Sequence, residues 1–93
     1  SYDIGLMKIN SRWLHREPFS HLGYEERHLL DACTSVKVGA WILAKNLQRF
    51  NGDTWEAVGA YNAACTSLKG NACRQARSTY AWKVYRAMQK VQM

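Results

Sequence analysis

The alternation of apolar and polar positions organises the chain around one stretch, Val36 to Phe50. Apolar residues fall at Val36, Ala40, Leu43, Leu47 and Phe50, and Val38, Trp41 and Ile42 widen the stripe. That period predicts a helix packed on more than one side. Gly39 inside it costs roughly 1 kcal/mol against Ala, a cost that close approach of another backbone would justify. Asp31 is placed to cap this helix, with its first turn at Ala32 or Cys33. Asn51-Gly52 closes it, because both residues tolerate left-handed backbone. Asp53, followed three residues on by Glu56, has the form of a capping box and opens a second helix, Thr54 to about Ala64. Ser67 to Asn71 reads as a loop. A last helix is predicted from about Ala72 to Val91, with Ala81, Val84, Met88 and Val91 in its apolar row and Trp82 and Tyr85 on the adjacent face.

The first third has weaker periodicity. Gly5 to Ser11 reads as an extended or turning segment at an inner surface, and Asn10 or Ser11 caps a short helix through Arg12 to His15. Glu17-Pro18 disfavours helix, so that helix should stop near Arg16. Residues 18–30 read as short turns, with one or two helical turns between Glu25 and Leu30. No segment carries a clear strand pattern. The fold class is therefore mainly α.

Composition narrows the function classes. A chain of 93 residues supports one small domain with a modest core. No apolar run approaches the roughly 18 residues that suggest a membrane span. The net charge of +6 favours a polyanionic partner, either nucleic acid or an envelope polymer. The basic residues are scattered and form no stripe, which argues against nucleic acid. The three cysteines and His15, His21 and His28 lack the paired spacings of a zinc site, so no metal or other cofactor is expected.

Two short runs carry the chemistry. One is Gly5-Leu6-Met7-Lys8-Ile9-Asn10-Ser11. The other is Val58-Gly59-Ala60-Tyr61-Asn62-Ala63, where small residues surround one Tyr-Asn pair. Small residues admit a ligand or a backbone, while Tyr and Asn offer a stacking face and an amide. Sugar recognition uses that combination, and plain helix packing would use the small residues alone.

With GLMKINSRW, VGAWILAKNLQRF, TWEAVGAYNA and RSTYAWKVY in one order over essentially the whole chain, the sequence resembles the lytic transglycosylases of goose-type-lysozyme-like fold. It is most similar to the small enzymes that accompany secretion, conjugation and pilus systems. The resemblance implies a periplasmic or secreted protein acting on peptidoglycan glycan strands, with secretion or conjugation apparatus components as possible partners. Such enzymes cleave the bond between N-acetylmuramic acid and N-acetylglucosamine and close a 1,6-anhydro ring. One glutamate serves first as acid, then as base, in place of the two carboxylates of other glycosidases.

In the family that glutamate precedes the GLM motif. None of Asp3, Glu17, Glu25, Glu26, Asp31, Asp53 and Glu56 matches its position. Residues 1–93 thus read as the C-terminal major part of a single, N-terminally truncated transglycosylase domain, lacking its catalytic helix and inactive alone. By the same resemblance, Gly5, Leu6, Met7, Lys8 and Ile9 line the groove floor. Ala60, Tyr61 and Asn62 hold the sugar beside the scissile bond, and Tyr80 closes one side of the groove or simply packs its helix. Arg74, Arg77 and Lys83 form a solvated face or the groove's basic edge. Lys8, Ser35 and Ala64 depart from the family's usual Gln, Asn and Gly. In an oxidising periplasm Cys65 and Cys73 would form a disulfide around a short loop, leaving Cys33 unpaired. The alternative is a non-catalytic peptidoglycan-binding or assembly protein that uses the same groove.

Overall fold

The structure is a computed structural model that describes residues 2–63, 65 and 69–91. The chain divides into two compact units, residues 1–41 and 42–93. Helices dominate both, so the mainly α class holds.

The first unit opens with a small hairpin. Strand β1 (Asp3–Ile4) pairs antiparallel with β2 (Ile9–Asn10), Ile4 opposite Ile9. The sequence reading expected no sheet, and the reason is length: two residues per strand cannot display an alternating pattern. Ile4 and Ile9 are nevertheless both buried. A short 3-10 helix (Ser11–His15) follows, capped by the Asn10 side chain, which accepts from the Arg12 amide at 3.0 Å, and it ends at Arg16 as anticipated.

Helices α1 (Phe19–Leu22) and α2 (Glu26–Leu30) occupy the region read as short turns. At the start of α2, Glu25 and His28 cap each other's backbone, and the Glu25 amide donates to His28 Nδ1 at 2.8 Å. The aromatic residues here pack edge to face. Phe19 meets Trp41 at 5.0 Å, Tyr24 at 5.6 Å and Trp13 at 6.1 Å between ring centres, the arrangement that aromatic quadrupoles favour.

Helix α3 runs from Ala32 to Arg49. Asp31 caps it as expected, its Oδ2 accepting from the Thr34 amide and hydroxyl, both at 2.9 Å. The buried face matches the predicted one only in part, through Val38 and Ile42. Val36 and Ala40 are exposed, whereas Ser35, Val38, Gly39, Ile42 and Asn46 are buried. Hydrophobicity alone misassigned the stripe because two of its members are polar. Each is satisfied: Ser35 Oγ accepts from the Met7 amide at 3.1 Å, and Asn46 Nδ2 donates to the Ala57 carbonyl at 3.2 Å.

In the second unit, α4 (Thr54–Asn62) packs along α5 (Gly70–Val91). Gly59 permits the approach, since a Cβ there would lie 2.6 Å from the Arg77 carbonyl oxygen. Helix α5 begins two residues earlier than predicted. Its expected apolar row is only partly inward, for Ala81 is buried while Met88 and Val91 are exposed.

Two polar readings also change. Asp53 does cap α4, accepting from the Glu56 amide at 3.1 Å, but the Glu56 carboxylate turns to Arg77 at 2.8 Å. Arg77 is therefore not part of a solvated face. It is buried, and its Nε donates to the Ala63 carbonyl at 2.9 Å. No helix among the described residues is long and apolar enough to cross a membrane.

Candidate functional site

In the first unit, Gly5 to Lys8 form the four-residue turn of the hairpin. The Lys8 amide closes it on the Gly5 carbonyl at 3.1 Å. Gly5 has φ +74°, and a Cβ there would fall 2.1 Å from the Leu29 carbonyl oxygen, so the position requires glycine twice over. Lys8 is also left-handed, at φ 51°. Such backbone in a residue with a side chain costs roughly 1–2 kcal/mol and persists only where surroundings enforce it. Part of that enforcement is Ser35, wholly buried, whose oxygen holds the Met7 amide.

The turn exposes its Leu6 and Lys8 side chains and half-buries Met7, while Ile9 is core. A ligand would meet Ile9 through backbone rather than side chain. The role of Ser35 escaped the sequence reading, which noted it only as a departure from Asn. Serine retains a hydroxyl oxygen that can accept there.

In the second unit, Ala60, Tyr61 and Asn62 form the last turn of α4. Ala60 is buried, Tyr61 half-buried and Asn62 exposed. Tyr80 lies half-buried on α5, the neighbouring helix. Just past Asn62, the Ala63 carbonyl is held by Arg77, and Cys65 is joined to Cys73 by a disulfide, as expected. Ala64, the departure from the family's glycine, lies outside the described residues. Cys65, the next residue, is left-handed, at φ 63°.

The carboxylates show what acid–base chemistry these residues can offer. A general acid near neutral pH needs its carboxyl raised, usually by burial. Asp31 is shifted the other way: the Thr34 amide first, then the Thr34 hydroxyl, hold it below the usual carboxylate range. Glu56 is engaged by Arg77, Glu25 by Arg27 at 3.2 Å, and Asp53 by the Glu56 amide. Glu26 accepts from the Tyr2 hydroxyl at 2.8 Å, a bond that raises the Tyr2 pKa, and Glu17 accepts from the Ser20 hydroxyl at 3.1 Å. Asp3 is exposed and accepts from the Asn10 amide group at 3.4 Å. None of the seven is buried. Among the described residues, no group of His, Cys, Asp and Glu is arranged to hold a metal ion.

Comparison with known proteins bears on this arrangement directly. Residues 1–84 match the transglycosylase SLT domain. Among curated relatives, the invasion protein IagB of Salmonella typhi is 42% identical over 92 residues, covering 98% of this chain and 55% of the relative. An X polypeptide of Escherichia coli is 40% identical over 86 residues, covering 91% and 48%. Protein IpgF of Shigella flexneri is 37% identical over 87 residues, covering 92% and 53%. The chain thus spans about half the length of the curated relatives it matches. Its helical architecture agrees with the lysozyme-like fold of this domain. The matched segment includes the hairpin turn, the Tyr61–Asn62 pair and Tyr80, and on that match the chain belongs to the transglycosylase SLT domain family.

Proposed function

We propose that the chain is part of a periplasmic lytic transglycosylase that cleaves peptidoglycan between N-acetylmuramic acid and N-acetylglucosamine with 1,6-anhydro ring closure. The observation that carries this reading is the family match over residues 1–84. Gly5, Leu6, Met7, Lys8 and Ile9 are its substrate-binding residues in the first unit, and Ala60, Tyr61, Asn62 and Tyr80 in the second. Together with the rest of residues 1–93 they belong to one transglycosylase domain. The catalytic glutamate is assigned outside these residues, a reading supported by the exposed or partnered state of all seven carboxylates. The chain alone is then a glycan-binding piece without cleavage activity.

The name invasion protein, borne by the Salmonella relatives, supports local opening of the cell wall for a secretion, conjugation or pilus system.

The test is to isolate the native protein from its source, sequence its N-terminus, and incubate it with purified sacculi. The expected result is a glutamate ahead of Ser1 and release of 1,6-anhydromuropeptides detected by mass spectrometry. A native protein that binds sacculi, releases no such product and has no further glutamate overturns the enzyme reading. It leaves the non-catalytic binding protein.

A further inference from the structure

The groove assignment leaves a concave surface of the second unit unexplained. Between α4 and α5 lies a cavity of about 400 Å³, within the range of small-ligand sites. Trp55, Trp82 and Tyr85 wall it. Tyr85 meets Trp55 at 5.7 Å and Trp82 at 5.6 Å between ring centres, with interplanar angles of 79° and 87°. The rings thus form a corner rather than a flat patch. All three remain exposed, Trp82 by 57%. Asp53, Glu56, Arg74, Arg77, Ser78 and Ala81 complete the lining.

This cavity is distinct from the residues assigned to the groove, although Trp55, Trp82 and Tyr85 lie within the TWEAVGAYNA and RSTYAWKVY runs. At 100° per residue, Trp82 and Tyr85 stand about 200° and about 140° around α5 from Tyr80. Neither Tyr61, Asn62 nor Tyr80 lines it. A second, shallower depression of about 560 Å³ shares Glu56, Arg74 and Arg77 with it and adds Arg49 and Lys69. The aromatic corner therefore continues into a basic surface.

The lining restricts the ligand. A purely apolar side chain would strip water from Asp53 and Arg74 without replacing their hydrogen bonds, which is costly. A purely ionic ligand would leave two tryptophans in water. A pyranose satisfies both walls, laying its C–H face on the rings and its hydroxyls toward the carboxylates and Ser78. A carboxylate on that sugar would meet the cationic side.

We propose that the α4–α5 cavity is a second saccharide site, taking an acidic amino sugar on Trp55, Trp82 and Tyr85 with its carboxylate directed to Arg74. The choice of a muramyl ligand rests on the peptidoglycan reading above. A second site would retain stretches of the polymer whose muramyl carboxyl groups carry no stem peptide, while another segment of the strand occupies the motif residues.

The test is an NMR titration of the chain with N-acetylmuramic acid, whose lactyl carboxylate is free, and with tri-N-acetylchitotriose as the neutral comparison, following the indole N–H signals of Trp55 and Trp82. N-acetylmuramic acid should shift both indole signals saturably. Trp82→Ala should weaken binding roughly tenfold, the loss of one aromatic anchor. Arg74→Gln should weaken the muramyl ligand several-fold, as loss of one charge-assisted contact does, and leave chitotriose unchanged. Trp82 and Arg74 are exposed, and thermal melts of the variants verify their folding. An absent indole shift, or unchanged affinity in Trp82→Ala, overturns the proposal. Loss of binding in Asn62→Ala but not in Trp82→Ala locates the ligand at the motif instead, which sinks this site and spares the function reading. Binding that depends on Trp82, in a native protein that releases no anhydromuropeptide, separates the two the other way.

Discussion

Replacing Arg77 by alanine tests the most consequential difference between the charge pattern and the structure. The residue is 8% exposed, donates to the Ala63 carbonyl at 2.9 Å and to Glu56 at 2.8 Å, and holds its guanidinium 5.0 Å from the Phe50 ring centre. Leaving the Ala63 carbonyl without its donor costs about 1 kcal/mol or more. The ion pair contributes about 1 kcal/mol, discounted because the Glu56 side chain is 36% exposed and regains water. Stacking on Phe50 adds about 0.5–1 kcal/mol, and the buried stem about 1 kcal/mol. Arg77→Ala should therefore lose about 3–4 kcal/mol, or about 15–25 °C in Tm for a domain of this size. Arg77→Lys should lose about half as much, because an ammonium cannot hold both acceptors in one plane. Urea and thermal melts followed by circular dichroism measure both. A double-mutant cycle with Glu56→Gln should give a coupling of about 1 kcal/mol. Arg77→Ala melting within about 0.5 kcal/mol of the parent would refute the argument and return Arg77 to a solvated face.

Two further outcomes follow from single positions. Gly5→Ala should cost about 3 kcal/mol, combining the left-handed φ of +74° with a Cβ 2.1 Å from the Leu29 carbonyl oxygen; an unchanged melting temperature would contradict this. The lowered pKa of Asp31 favours its charged form in the fold, so its contribution to α3 is complete above the unfolded value of about 3.9 and lost as pH falls through the lower folded value. Asp31→Ala should flatten acid sensitivity in that window, and an NMR titration placing Asp31 at or above about 3.9 would refute the shift.

What was legible in the sequence was local. Asp31, Asn10 and Asp53 announced the starts of their helices because capping is settled by a side chain and an amide two or three residues away. Pro18 placed the end of the 3-10 helix for the same reason. The faces of those helices were less legible. Val36 and Ala40 looked like core and are exposed, since the inward stripe of α3 includes Ser35 and Asn46. A hydrophobic criterion discards such residues, although a spacing of three, four and four through Ser35, Val38, Ile42 and Asn46 defines one helical side. Arg77 was missed similarly, because a charge is assumed solvated until its partners are visible. Gly59 and Arg77 meet only across two helices, and nothing local connects them.

Three polar residues outside the apolar pattern share one task, and it bears on the candidate site. Ser35 holds the amide of Met7 inside the GLMKI turn, Arg77 holds the carbonyl just beyond Tyr61 and Asn62, and Asn46 holds the carbonyl of Ala57 earlier in the same helix. Each bond runs from a buried side chain on a long helix to the backbone of a motif-bearing segment. Backbone so tethered loses freedom before a ligand arrives, which lowers the ordering cost of binding. The motif residues are recognisable because their small size and Tyr-Asn chemistry are local properties. Their support is not, because it depends on which helix face turns inward. Substituting Tyr61 or Asn62 should therefore weaken ligand binding with little change in stability, whereas substituting Ser35 or Arg77 should lower stability and binding together.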